Sequence, residues 1–335
     1  MKAIKRLCNR IFFELLEKLL SKDEVSPDKL AGSDLERILI IRQHDRLEDL
    51  LLATPVFRAV RQRFPHAHIS ALVRNSMAPS VEQNVNLDQV ICFYERLRDW
   101  TPKNIFVFLK KLRSKYDLAI VLNTRFHSLT SDLLAYFSGA RFVLGSKHLL
   151  FPGCKNNFFY NLRAPYSDLN KHHTERNLDI VRHIHADCEE LHEEIKISSE
   201  DKNSGLKFLT ENGLNLDDLI VAIYLSWSNR REIAKLVQVA RYFSSHLDAK
   251  IIVSWESEMS PWGAEFTNSL PFSPLQATEL SLTQQLSLIY FCDLIICGDN
   301  VFMHLAAGIG TPLIAIFGES EPYQIKPIGQ QFKAI

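Results

Sequence analysis

The sequence has no run of some eighteen apolar residues, the length that crosses a bilayer, and its first residues lack the uninterrupted apolar core of a signal peptide. A cytoplasmic protein is expected. Neither sign of charge is in excess, since Lys plus Arg and Asp plus Glu both number 39, so no global field gathers a phosphate polymer and no nucleic-acid partner is expected. Two phosphate-binding fingerprints are also missing. No GxGxxG follows the first apolar run and no GxxxxGK[ST] occurs, which sets aside the dinucleotide dehydrogenases and the common nucleotide triphosphatases. Cysteine is sparse and scattered. Cys8, Cys92, Cys154, Cys188, Cys292 and Cys297 form no CxxC pair and no zinc spacing, as expected for reduced, buried thiols.

What the chain does have is 46% hydrophobic residues over 335 positions, enough core for two ordinary domains. From residue 37, short apolar runs alternate with longer helical patterns, the sequence form of a parallel sheet flanked by helices. Strands are expected at 37–42, 68–73, 89–93 and 117–122, with helices near 49–63, 77–84, 102–115 and 126–138. A basic, hairpin-like stretch at about 141–172, a helix near 174–185 and an acidic linker over 187–204 follow. The rhythm then restarts, with strands at 219–225, 250–255, 293–297 and 313–317 between helices at 231–247, 258–268 and 283–291. The pattern implies two Rossmann-like α/β domains, 35–190 and 191–335, facing a cleft lined by the carboxyl ends of their strands. Residues 1–34 stand apart as an amphipathic helix and linker. The helix carries a stripe of Ile4, Leu7, Cys8, Ile11, Leu15 and Leu19, with Lys2, Lys5, Arg6 and Arg10 at its front. Such a stripe suits either the cytoplasmic face of a membrane or the surface of its own protein.

Two segments carry the chemistry. After the first strand comes Arg42-Gln43-His44-Asp45-Arg46-Leu47-Glu48-Asp49, then the helix opening Leu50-Leu51-Leu52-Ala53-Thr54-Pro55. Asp49 at such a junction is either a helix cap or a functional carboxylate facing the strand ends. Near the other end of the chain, an apolar strand runs into Gly298-Asp299-Asn300, and a helix follows through Val301, His304, Gly308 and Gly310 to Thr311-Pro312. Its first N–H groups can receive phosphate, with Gly318 starting a further turn beside them. Capping by Asp299 and packing by His304 are the plainer roles.

Taken in this order, the two segments resemble glycosyltransferase family 9, the ADP-heptose:lipopolysaccharide heptosyltransferases and their relatives. Glu48-Asp49 with Leu51-Leu52-Ala53-Thr54-Pro55 is similar to the family's Gly-Asp loop and Leu-Leu-Ala-Thr-Pro helix start. Gly298 through Pro312 is similar to its Asn-Asp-Thr/Ser-Gly-Pro-Met-His-Leu-Ala-Ala-Ala-Leu-Gly-Thr-Pro motif, and His173-Thr174-Glu175-Arg176-Asn177-Leu178-Asp179 to its histidine-containing middle helix. The resemblance implies a GT-B fold with an N-terminal acceptor domain and a C-terminal donor domain. It further implies an inverting transfer that needs no metal ion or cofactor, with a nucleotide-diphospho-sugar donor, ADP-heptose favoured, and a glycolipid or oligosaccharide acceptor; peripheral contact with the inner membrane is an expectation of the N-terminal helix alone. By the family pattern Asp49 is the general base. Arg230 and Arg231, with Asp299, Asn300, His304 and Gly318, would hold the donor, and Arg42, His44 and Arg46 would lie on the acceptor side.

The sequence also departs from the pattern. Glu48 stands for the glycine before the catalytic aspartate, Asn300 for Thr/Ser, Val301 for the next glycine, and Glu232-Ile233 where a tryptophan is usual. Ile335 comes soon after Gly318, where relatives run on into a closing helix. A degenerate protein of the same fold, binding a sugar nucleotide or glycan without turning it over, is the alternative these departures raise.

Overall fold

The computed structural model describes the chain apart from residues 1, 32–34, 44–45, 125–127, 148–150, 152–153, 155–156, 227–229, 318–321, 330 and 335, and apart from the side chains of 2–9, 31, 230 and 334. The chain divides into two compact units, Met1–Leu191 and His192–Ile335.

The first unit runs α1 (Lys2–Leu20), α2 (Asp28–Ala31), β1 (Arg37–Arg42), α3 (Leu47–Leu51), α4 (Thr54–Arg63), β2 (His68–Arg74), β3 (Gln89–Phe93), α5 (Pro102–Leu112), β4 (Leu118–Val121), α6 (Leu129–Phe137), β5 (Phe142–Ser146), β6 (Leu162–Ala164) and α7 (His173–Arg182). Its six strands are all parallel, in the order β3-β2-β1-β4-β5-β6. β1 reads as an unbroken apolar run because both of its faces are covered. Ile38 and Ile40 join a core with Val56, Phe57 and Val60 of α4 and Leu178 and Val181 of α7. Leu39 and Ile41 turn the other way, onto Phe108 of α5 and Leu134 of α6.

Four local features differ from the sequence expectation. The helix expected near 77–84 is a 3₁₀ turn over Asn75–Ser80, with Pro79 inside it. The single helix expected over 49–63 is two, because Pro55 has no N–H to donate to the carbonyl of Leu51 and its ring blocks a continuous helix. The Thr54 hydroxyl donates to that carbonyl instead, at 2.7 Å. The hairpin-like stretch is no hairpin: β5 and β6 lie parallel, with Leu144 opposite Leu162. In α1 a second stripe, Phe13, Leu16 and Leu20, packs on the core, Phe13 stacking on Phe151 with ring centres 4.5 Å apart. The stripe read from the sequence is left in solvent at Ile11, Leu15 and Leu19.

The second unit runs α8 (Ser199–Glu211), β7 (Ile220–Leu225), α9 (Arg230–Leu247), β8 (Lys250–Trp255), α10 (Ser260–Asn268), β9 (Leu275–Gln276), α11 (Leu282–Tyr290), β10 (Leu294–Gly298), α12 (Val301–Ile309), β11 (Leu313–Ile316), α13 (Pro322–Ile325) and β12 (Phe332–Ala334). Its strands are again parallel, ordered β12-β11-β10-β7-β8-β9. The acidic linker expected over 187–204 ends early, since α8 begins at Ser199 with Ser198 as its N-cap. Cys292 and Cys297 are free and buried in this unit, and burial pushes the Cys297 thiol up to about 12 and raises that of Cys292. Neither is a reactive thiolate at neutral pH.

Candidate active site

In each sheet the strand order reverses once, between β1 and β4 in the first unit and between β7 and β10 in the second. Ligands of open parallel sheets bind at the carboxyl ends of the strands flanking such a reversal, where the loops diverge and leave room. Asp49 follows β1, Arg230 and Arg231 follow β7, and Asp299 and Asn300 follow β10. Asp49, Arg230, Arg231, Asp299 and Asn300 therefore follow strands that flank these reversals.

Asp49 is not a cap. The N-cap of α3 is Arg46, and Asp49 lies in the helix's first turn, only 8% exposed, with its Oδ1 3.7 Å from Nδ1 of His173. His173 begins α7 and is itself buried, while His172 caps that helix by accepting from the Thr174 N–H at 3.2 Å. One face of α7 then fastens the surrounding strand ends. Asn177 donates to Leu52 O at 3.3 Å and accepts from Arg42 Nη1 at 3.1 Å. The Arg42 guanidinium also donates to Leu122 O, and that of Arg176 to Thr124 O. The ends of β1 and β4, the break between α3 and α4, and the Asp49 carboxylate thus share one polar support. Spacing i, i+3, i+4 puts His173, Arg176 and Asn177 on one side of the helix.

The acceptor-side residues fall in different environments. Arg42 is buried and occupied with the strand ends, whereas Arg46 is exposed, 3.6 Å from Glu48. His44 lies outside the described residues.

In the second unit the N-cap of α12 is Asn300, not Asp299. Its side chain accepts from the Phe302 N–H at 2.9 Å. Asparagine caps a helix as well as threonine or serine does. Replacing it with alanine is expected to cost about 1 kcal/mol, read as a lower unfolding midpoint, and serine to restore it. Asp299 is half-buried beside the cap. His304 faces neither solvent nor the sheet alone: its Nδ1 is 2.8 Å from Oε1 of Glu193, both side chains being buried. The segment around Glu193 lies tight on α12, Ile195 N–H donating to Gly308 O at 2.7 Å, and a Cβ on Gly308 would come within 2.8 Å of the Ile195 side chain. Gly310 closes the helix at φ 90°, a left-handed conformation that glycine adopts without strain. Glu193→Ala would remove a buried hydrogen bond to the imidazole and is expected to lower stability by about 1 kcal/mol in a denaturant melt. Arg231 is exposed at the start of α9, while the Arg230 side chain and Gly318 lie outside the described residues.

A cavity of about 490 Å³ opens beside these residues, and the sequence alone did not point to it. Ser254, Trp255 and Glu256 at the end of β8, Thr278 and Glu279 beyond β9, and Val301 and Phe302 of α12 line it. Glu279 holds φ 59°, a left-handed conformation that costs a non-glycine residue about 1 kcal/mol. Among the described residues no group of three or more His, Cys, Asp or Glu side chains is arranged to hold a metal ion.

The family model for glycosyltransferase family 9 (heptosyltransferase) matches residues 105–335. Among solved structures, the chain is similar to a family 9 glycosyltransferase from Veillonella parvula, with 19% identity, 90% of this chain and 86% of that one covered, and a TM-score of 0.74. The E. coli ADP-heptose lipopolysaccharide heptosyltransferase II gives 19% identity, 89% and 90% coverage and a TM-score of 0.67. E. coli heptosyltransferase WaaC with ADP gives 14% identity, 89% and 92% coverage and a TM-score of 0.68. At such identities the structural likeness is one of fold, and no curated protein matches the sequence. With the match extending over more than half its length and the GT-B arrangement of two parallel α/β sheets, the chain belongs to glycosyltransferase family 9, the heptosyltransferase family.

Proposed function

We propose that this glycosyltransferase moves a heptose from ADP-heptose to the core of a lipopolysaccharide or a related cell-surface glycan, with inversion at the anomeric carbon. The observation that carries the reading is Asp49, a carboxylate 8% exposed at the carboxyl end of β1 and backed by His173. An acceptor hydroxyl attacks the anomeric carbon from the face opposite the diphosphate and passes its proton to Asp49. The bond between that carbon and the phosphate oxygen breaks, and its electron pair leaves with the nucleoside diphosphate.

The donor belongs to the second unit. Ser254, Ser257, Thr278, Glu256 and Glu279 offer the cavity hydroxyls and carboxylates that suit a ribose, and Trp255 and Phe302 offer flat apolar surface for a base. Two carboxylates repel a diphosphate, so the phosphates lie outside the cavity, at the α12 N-terminus and the Arg230/Arg231 pair. That arrangement meets the charge on the leaving group with N–H dipoles and guanidinium rather than a metal ion. WaaC has been captured with ADP and with ADP-2-deoxy-2-fluoro heptose, which favours the adenosine diphosphate heptose donor here.

A thermal-shift screen of nucleotide sugars tests this donor assignment. A ligand at a hundred times its Kd stabilises the folded state by about 2.7 kcal/mol, so ADP-heptose should raise the midpoint by several degrees, with or without EDTA. A shift with uridine or guanosine sugars alone, or one that EDTA abolishes, would contradict it.

A further inference from the structure

Single apolar residues on a surface are ordinary, but the first unit exposes two rows of them on the same side of one sheet. α1 and α5 both pack against the core formed by Leu39, Ile41, Val121 and Val143. α1 turns Phe13, Leu16 and Leu20 inward and leaves Ile11, Phe12, Leu15 and Leu19 from 51% to 69% exposed. α5 turns Phe108 and Leu112 inward and leaves Ile105, Phe106, Val107 and Leu109 exposed, Phe106 at 68%. On α1 these side chains form one stripe beside the packed one, and on α5 Ile105, Phe106 and Leu109 form another, with Val107 on the far side of the helix.

The charge on these helices is as lopsided as the chain is balanced. Residues 2–20 carry five Lys and Arg against two Glu, and residues 102–115 carry five against none, in a chain of net charge zero. Lys18, Lys103, Lys110, Arg113 and Lys115 are exposed around the apolar rows. A second copy of this chain would bring cations against cations. Apolar side chains ringed by Lys and Arg match the two layers of an anionic bilayer, acyl chains below and negative headgroups above.

We propose that this side of the first unit is a lipid-facing surface made jointly by α1 and α5, laid flat on an anionic membrane. It rests on the structure of this unit and not on which sugar is transferred. No helix of the described residues is long and apolar enough to cross a bilayer, so the contact is interfacial. α1 supplies the longer apolar row and α5 the denser cations.

Co-sedimentation with vesicles of phosphatidylglycerol and phosphatidylcholine in equal parts, and with pure phosphatidylcholine, tests it on the full chain. The parent should bind the anionic vesicles and lose most of that binding between about 0.1 M and 1 M salt, as the screening length falls from about 10 Å to about 3 Å. The triple change Ile11→Ser, Leu15→Ser, Leu19→Ser and the double change Phe106→Ser, Leu109→Ser should each lower the partition coefficient at least about tenfold. Lys103→Glu with Lys110→Glu, which touches only exposed charges, should do the same. Thermal melts should leave all three variants folded like the parent. The proposal falls if the parent ignores anionic vesicles or binds both kinds equally. It also falls if both α5 variants bind like the parent, leaving α1 as sole anchor, or if the parent instead forms a dimer that the serine variants dissociate.

Discussion

Asp49→Asn should reduce turnover by at least about a hundredfold while leaving donor affinity and the unfolding midpoint close to the parent's. Asparagine keeps the shape of the side chain and can still hydrogen-bond, so α3 and its neighbour His173 have little cause to move. It cannot accept the proton of an attacking hydroxyl. An alcohol is a weak nucleophile at neutral pH, and a positioned base is worth about 10²–10⁴ in rate. The adjacent Glu48 is the natural substitute, but its carboxylate lies 3.6 Å from Arg46, and its side chain is more exposed than that of Asp49. Glu48→Gln alone should therefore keep most of the activity. Glu48→Gln combined with Asp49→Asn should fall no further than Asp49→Asn by itself. Full transfer by the double variant, measured as ADP release with acceptor present, would remove both carboxylates from the chemistry.

The second large effect is expected at the donor phosphates. Changing Arg230 and Arg231 together to alanine should weaken binding of ADP and ADP-heptose by about a hundredfold, because charge-assisted hydrogen bonds are worth about 1.5–3 kcal/mol each and the exposed position of Arg231 screens part of that. Stability should stay level. Calorimetric titration would show the difference directly, and an unchanged affinity would place the diphosphate elsewhere. Adenosine, lacking phosphate, should bind parent and variant alike, since its contacts are proposed to lie in the cavity beside Trp255 and Phe302.

The sheets were legible because parallel strands buried on both faces leave an apolar run that no loop imitates. Arg37–Arg42 and Lys250–Trp255 stand where the pattern put them, and so does the half-buried edge strand Gln89–Phe93. α8 was hidden for the opposite reason. Its start is Ser-Glu-Asp-Lys-Asn-Ser, and it packs through Leu209 and through Gly205, where a Cβ would meet Ser287 at 2.8 Å, so a close approach replaces an apolar stripe. The second stripe of α1 escaped because the more regular one, Ile11, Leu15 and Leu19, was the one left in solvent. Of the candidate site, Asp49 and the Gly298–Pro312 segment could be read locally. What surrounds them could not. The approach of His173 to Asp49 and of Glu193 to His304 joins residues more than a hundred positions apart, and no local period reports such pairs. The 490 Å³ cavity likewise collects residues from three segments and belongs to none of their patterns.

The central claim is a direct displacement at the anomeric carbon assisted by Asp49, and the stereochemistry of the product tests it most directly. Proton NMR of the glycoside formed by the parent chain from ADP-heptose and a deacylated lipopolysaccharide-core acceptor reads the anomeric configuration in the product. The account predicts a configuration opposite to that of the donor, formed in the presence of EDTA. A product that keeps the donor's configuration would contradict it.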